Sequence, residues 1–143
     1  HLHKYDVMRT TLLQLCLCIS RKFSEEFTNA ASSNNYNILR SFEKLIEQHY
    51  LRLKLPKEYA SLLFITPNHL NAVCKQAVEK PAGEMIRDRI ILEAKRCLVN
   101  SNETISEIAS KLNFEDNSYF TRFFKRYTGI TPEEFRKNAQ VNK

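Results

Sequence analysis

Glycine is nearly missing from this chain: Gly83 and Gly129 are the only two among 143 residues. Gly-rich loops that cradle phosphates are thereby excluded, and a fold built on many tight turns is disfavoured. Long apolar runs are missing as well. A membrane helix needs about 20 consecutive apolar residues, and "LLQLCLCI" at residues 12–19 is much shorter and has no small-residue cleavage site behind it. No membrane partner is expected. The four cysteines, Cys16, Cys18, Cys74 and Cys97, include no C-x-x-C pair. No histidine stands close enough to complete a zinc pattern. They read as reduced, buried thiols of a cytoplasmic protein, and neither a metal nor a cofactor is expected. The four histidines lie in three separate places, none beside a cysteine or a carboxylate pair in a recognisable spacing. No catalytic residue stands out, so enzyme chemistry finds little support. The aromatics fall on apolar stripes rather than on an open stacking face, which argues against single-stranded nucleic acid as ligand.

Helix-forming residues are abundant, hydrophobic residues make up 43% of the chain, and strand-like alternation is scarce. The expected class is all-α, as one domain or one domain plus an appendage. A formal charge of +6 and a pI near 9.2 fit a polyanionic partner without requiring one. The chain opens on His1 rather than Met, so it is read as a piece of something longer, with His1 and His3 at a frayed end rather than as ligands.

Between Tyr5 and Phe27, the residues Met8, Leu12, Leu15, Ile19, Phe23 and Phe27 recur every three or four positions, the mark of an amphipathic helix. Leu13 and Leu17 add a second apolar surface. "NAASSNN" at 29–35 is small and polar and reads as a loop. A second helix is expected over 36–53, with Leu39, Phe42, Leu45, Ile46 and His49 on one side. Pro56 then opens the next.

From there the chain repeats itself. "EYASLLFITPNHLNAVCK" (58–75) matches "EIASKLNFEDNSYFTRFFK" (107–125), with Ala60 against Ala109, Leu70 against Phe120 and Lys75 against Lys125. Each copy is a short helix, a turn, and a second helix that starts on a cap: Thr66 with Pro67 behind it, and Asp116. Ala60 and Ala109 let helices cross closely. Leu63, Ile65, Leu70 and Val73 form the core of copy one, and Leu112, Phe114, Phe120, Phe123 and Phe124 that of copy two. "GEMIRDRIILEAKRCLVN" (83–100) joins the copies as one helix, with Met85, Ile86, Ile90, Leu92, Ala94, Leu98 and Val99 available for burial.

With those cores inward, copy two turns Asn117, Ser118, Thr121, Arg122 and Lys125 outward. A major groove admits one helix, and short polar residues with an Arg on its leading turns reach base edges. Lys125 and Arg126 suit phosphates. The matching face of copy one is Asn68, His69, Asn71, Ala72 and Lys75. A merely solvated face would explain any one of these charges; the repeat, the caps and the matched lysines favour double-stranded DNA.

"ISEIASKLNF" followed by "SYFTRFFKRYTGITPEEFR" resembles the second helix-turn-helix of the AraC/XylS family of bacterial transcription regulators. Ile108, Ala109, Phe114, Ser118, Tyr119, Phe120, Arg122, Phe124, Lys125, Gly129, Pro132, Phe135 and Arg136 fall in step. "RIILEAKRCL" (89–98) resembles the connecting helix, and residues 55–87 match the first motif more loosely. The resemblance implies two helix-turn-helix subdomains, 55–82 and 104–137, joined by a rigid linker helix over 83–100. Residues 54–143 would form the DNA-binding domain and 1–53 a two-helix linker or dimerisation segment, too short for the sensory barrel common in the family. Carried over by position, base reading falls on Asn68, Asn71, Ala72, Asn117, Ser118, Thr121 and Arg122, and phosphate binding on Thr66, Lys75, Lys125 and Arg126. The family also implies an activator that contacts RNA polymerase, and a homodimer seam at Met8, Leu12, Leu15 and Ile19. Packing of that helix on the 36–53 helix accounts for the seam equally well.

Phe64 and Asn113 stand where the family has a turn glycine. Phe tolerates a left-handed backbone poorly, so the first turn is expected to be built differently. Ala72 replaces larger polar readers and Cys74 an aromatic, which leaves most of the readout to copy two. The alternative is a helical protein-interaction module that keeps the fold without binding DNA.

Overall fold

The computed structural model describes the backbone of residues 2–141 and the side chains of residues 8–26 and 29–141. His1 and the side chains of His3, Tyr5 and Phe27 lie outside the described residues. Every described element is a helix: α1 Leu2–His49, α2 Pro56–Leu62, α3 Pro67–Val78, α4 Ala82–Asn100, α5 Ile105–Lys111, α6 Asn117–Thr128 and α7 Pro132–Val141. The chain divides into residues 1–37 and a compact unit over 38–143.

The described residues of the first, 2–37, are all helical. Residues 29–35 form no loop, so the expected two-helix segment is one helix, α1. The stretch holds no Gly or Pro, Ala30 and Ala31 favour helix, and each Ser or Asn costs only about 0.5 kcal/mol. Met8, Leu12, Leu13, Leu15, Leu17, Ile19 and Phe23 are exposed along it. Cys16 and Cys18 are exposed too, which corrects their reading as buried thiols; Cys74 and Cys97 are buried.

The compact unit starts at Ile38, ahead of the division at 53/54 that the motifs suggest. The cause is the last part of α1, which lays Leu39, Phe42 and Ile46 into the common core. The Phe42 ring meets Tyr59 edge-on at 5.5 Å, and the Tyr59 hydroxyl donates to the Leu53 carbonyl at 2.8 Å. Burial pushes that phenol up to about 12, with Glu58 adding to the shift. Arg89 fastens the same end of α1 to α4: its Nε donates to Glu47 at 2.8 Å, its Nη1 to Glu93 at 3.2 Å, and it stacks on Tyr50.

Helix α4 is the shared wall of both helix-turn-helix copies. It buries Ala82, Ile86, Ile90, Ile91, Ala94, Cys97 and Leu98. Leu92, expected inside, is exposed, and Ile91 takes its place. With neighbours on two sides, α4 buries more than one stripe, and a single periodicity cannot say which extra position is covered. Ala60 and Ala109 are both buried at the crossings. On α7, Arg136 donates from Nη2 to the Glu103 carbonyl at 2.6 Å and from Nε to the Leu98 carbonyl at 3.2 Å, satisfying an acceptor in the last turn of α4.

The two turns are alike. Phe64 and Asn113 have φ of 55° and 58°. The next residue in each copy donates back to the crossing alanine, Ile65 to Ala60 at 3.0 Å and Phe114 to Ala109 at 2.9 Å. This is the left-handed helix ending that glycine usually supplies. The expectation of a different first turn is therefore corrected: the hydrogen bonds around Phe64 hold it in the conformation that its Cβ disfavours.

Candidate nucleic-acid interface

Each second helix begins on a cap read from the sequence. Thr66 Oγ1 accepts the His69 N–H at 3.2 Å, with Pro67 at the first helical position. Asp116 Oδ1 accepts from the N–H groups of Ser118 at 2.6 Å and Tyr119 at 3.2 Å. The helices also end alike, on a left-handed residue whose N–H returns to a lysine carbonyl: Glu79 to Lys75, and Gly129 to Lys125. Inside, α3 buries Leu70, Val73 and Cys74, and α6 buries Phe120 and Phe124. Phe114, Phe123 and Tyr127 continue the aromatic packing of copy two at centroid separations near 5 Å.

The opposite faces carry the residues that sequence reasoning singled out. On α6, Asn117, Ser118, Arg122, Lys125 and Arg126 are exposed, and Thr121 is half-buried beside them. On α3, Asn68, Ala72 and Lys75 are exposed. Thr66 Oγ1 accepts in the cap, and a hydroxyl that accepts there can still donate its O–H to a phosphate. Asn71 is different. It is half-buried, and its Oδ1 accepts the Ala82 N–H at 3.0 Å, because Pro81 offers α4 no side-chain cap. A bidentate Asn–adenine contact uses both amide atoms, and the oxygen of Asn71 is already engaged in this cap.

Sequence spacing did not find the cleft beside α6. It has a volume of about 560 Å³ and brings Lys54, Arg87, Arg122 and Arg126 together with no carboxylate in its lining. Lys54 donates from Nζ to the Asn113 carbonyl at 2.6 Å and sits 3.7 Å from the centre of the Phe114 ring. Burial lowers its pKa, against the opposing pull of Glu115. The Arg87 and Arg126 guanidinium carbons both lie against Tyr127, 5.2 and 5.9 Å from its centroid. Arg87 Nε is enclosed without a hydrogen-bond partner among the described residues. Arg87 looks in sequence like any helix cation; only the packing of α4 against α6 reveals it. Among the described residues no cluster of His, Cys, Asp or Glu could hold a metal, and no helix is long and apolar enough to cross a membrane.

Paired, capped second helices with polar outer faces define a double helix-turn-helix domain. Comparison with known proteins agrees: the family described as "Helix-turn-helix domain" matches residues 59–138. The chain belongs to the helix-turn-helix regulators of AraC/XylS type. It is 38% identical over 78 residues to the uncharacterized transcriptional regulatory protein YesN of Bacillus subtilis, covering 53% of this chain and 21% of that one. It is 40% identical over 68 residues to the transcriptional activator AarP of Providencia stuartii, covering 48% and 50%. The chain thus spans half or less of these two relatives. Among solved structures, the C-terminal domain of the response regulator yesN from Fusobacterium nucleatum superposes with a TM-score of 0.64 at 25% identity, covering 70% of this chain and 98% of that one. The DNA-binding domain of AdpA, solved with a target DNA, has the same fold, with a TM-score of 0.62 at 14% identity over 76% and 95% of the two chains.

Proposed function

We propose that this chain is the DNA-binding part of a transcription regulator that sets α3 and α6 into successive major-groove segments on one face of a duplex. The observation that carries this reading is the outer face of α6. Asn117, Ser118 and Arg122 are exposed on its first turns, and Lys125 and Arg126 follow at its end. Arg122 reads a base edge, with Asn117, Ser118 and Thr121 beside it. Asn68 and Ala72 face the other groove segment, where readout is weaker. Thr66, Lys75, Lys125 and Arg126 hold phosphates. Helix α4, at 19 residues, is about 28 Å long, against ~34 Å for one turn of DNA. AarP is named an activator, and an activator that contacts RNA polymerase on the nucleoid is the finer reading. A homodimer through Met8, Leu12, Leu15 and Ile19 completes it.

Selection from a random duplex library tests the proposal. The expected product is a two-part motif spaced by about one turn. Arg122→Ala should then cost roughly 1–3 kcal/mol on the selected site and relax one position. Lys125→Ala should weaken all sequences alike and lower the salt slope by about one. Equal losses on selected and random DNA would remove Arg122 from base reading. No enrichment even at low salt would favour the interaction-module reading.

A further inference from the structure

We propose that the cleft beside α6 takes a phosphate group of the DNA backbone, held by Arg87 of the linker helix and Arg126 of α6. The inference rests on the DNA-binding reading above and adds α4 to the contact surface. Two guanidinium groups share the Tyr127 ring; the lining of this cleft has no carboxylate, and Glu84 and Asp88 stand on the other side of Arg87, in the adjoining cleft, without bonding it. Arg87 forms no hydrogen bond or ion pair among the described residues, although its Nε is fully enclosed. An enclosed N–H donor without an acceptor is costly, and the Tyr127 ring supplies none, so this arrangement is one that an anion completes.

The site is also shaped for Arg87. Gly83 leaves the space its guanidinium needs: a Cβ there would come within 3.1 Å of Nη1 and 3.4 Å of Pro56. A guanidinium held by a ring and a gap loses little freedom on binding, and its planar fork matches a phosphate. Lys54 is not a ligand, because its Nζ is engaged by the Asn113 carbonyl and the Phe114 ring; it adds charge to the field. Arg122 lines the same cleft, so the occupant lies next to the base-reading face. That adjacency favours a backbone phosphate over a free one.

The test measures binding to the selected duplex against salt for the wild type, Arg87→Gln and Arg87→Lys. Arg87→Gln should weaken selected and random DNA alike, on the order of ten-fold, and lower the salt slope by about one. Arg87→Lys should restore the slope and part of the affinity. Methylphosphonates placed one at a time along the duplex should reveal one neutral linkage that weakens the wild type but not Arg87→Gln. The melting temperature of Arg87→Gln should stay close to that of the wild type, since the change removes an N–H with no acceptor along with the Tyr127 contact. Should that variant misfold, Arg87→Met, which keeps an unbranched stem against Tyr127 and removes the charge, carries the same salt and methylphosphonate test.

Specific binding by Arg87→Gln with wild-type affinity and slope would overturn this proposal while leaving the DNA-binding reading intact. A wild type with no preferred site would instead sink that reading. Inorganic phosphate titrated calorimetrically into the free chain separates the two sources. Binding that needs Arg87, paired with DNA affinity that does not, would assign the cleft to a free anion and overturn the DNA contact.

Discussion

Phe64, Glu79 and Asn113 each carry a positive φ without being glycine. Two of them, Phe64 and Glu79, belong to copy one, at places where copy two has Asn113 and Gly129. A left-handed L-residue costs roughly 1–2 kcal/mol, and Asn pays least. Copy one is therefore the more strained of two otherwise matched units. Phe64→Gly should raise stability by about 1 kcal/mol after the added freedom of the unfolded chain is subtracted. Glu79→Gly should do the same, and the double variant should sum the two. Denaturant midpoints at unchanged slope would measure it; a loss at Phe64 would mean that its ring, 95% exposed in the turn, makes a contact worth more than the strain.

All three helices of copy two have a carboxylate at their start; in copy one Glu58 accepts the Leu55 N–H ahead of α2 in the same way, while α3 rests on the Thr66 hydroxyl. The backbone N–H groups of Tyr119 and then Ser118 hold Asp116 below the usual carboxylate range, as Thr104 does for Glu107 and Thr131 for Glu134. Folding thus favours the ionised forms. Their contribution is fully present above the unfolded carboxyl values, ~4, and is lost as pH falls through the depressed folded values. Acid should therefore loosen α6, capped by Asp116, before α3, capped by the Thr66 hydroxyl, visible as earlier loss of amide-exchange protection. Asp116→Asn keeps an acceptor for the cap, so it should match the wild type near neutrality and flatten the acid limb. Asp116→Ala should be less stable at every pH.

At the scale of elements, what was legible depended on whether the cause was local. Caps at Thr66 and Asp116, the crossing alanines, the repeat and the linker helix follow from neighbours a few residues away, and sequence reasoning places them. Asn71 capping α4, Ile91 replacing Leu92 inside, and Arg87 against Tyr127 depend on contacts between separate helices, which no spacing encodes. The loop expected over 29–35 failed for another reason: small polar residues permit a turn without forcing one. Within α1, Met8, Leu12, Leu15 and Ile19 alternate by four, three and four positions, a heptad seam, and all four are exposed. The proposed occupant is the same seam of a second copy. Sedimentation of the 143-residue chain should give a dimer, and Leu12→Asp with Leu15→Asp a monomer that still binds DNA more weakly. A wild-type monomer at concentrations well above those of the binding assay would remove the seam.

Across the whole molecule, the two helix-turn-helix copies share one uninterrupted wall, α4, and the Lys54–Asn113 hydrogen bond ties the entrance of the first copy to the turn of the second. Helices α3 and α6 belong to one compact unit. Base pairs inserted between the halves of the site should therefore lower affinity to that of one half alone, and a full turn of about 10.5 base pairs should not restore it. The proposed readers are also unequal, Asn68 and Ala72 in one and Asn117, Ser118, Thr121 and Arg122 in the other. A site read by unlike halves in fixed order has no dyad; it has a direction. One bound chain then points along the duplex like an arrow, and reversing its site, with every contact preserved, would turn its remaining surfaces away from whatever stands downstream.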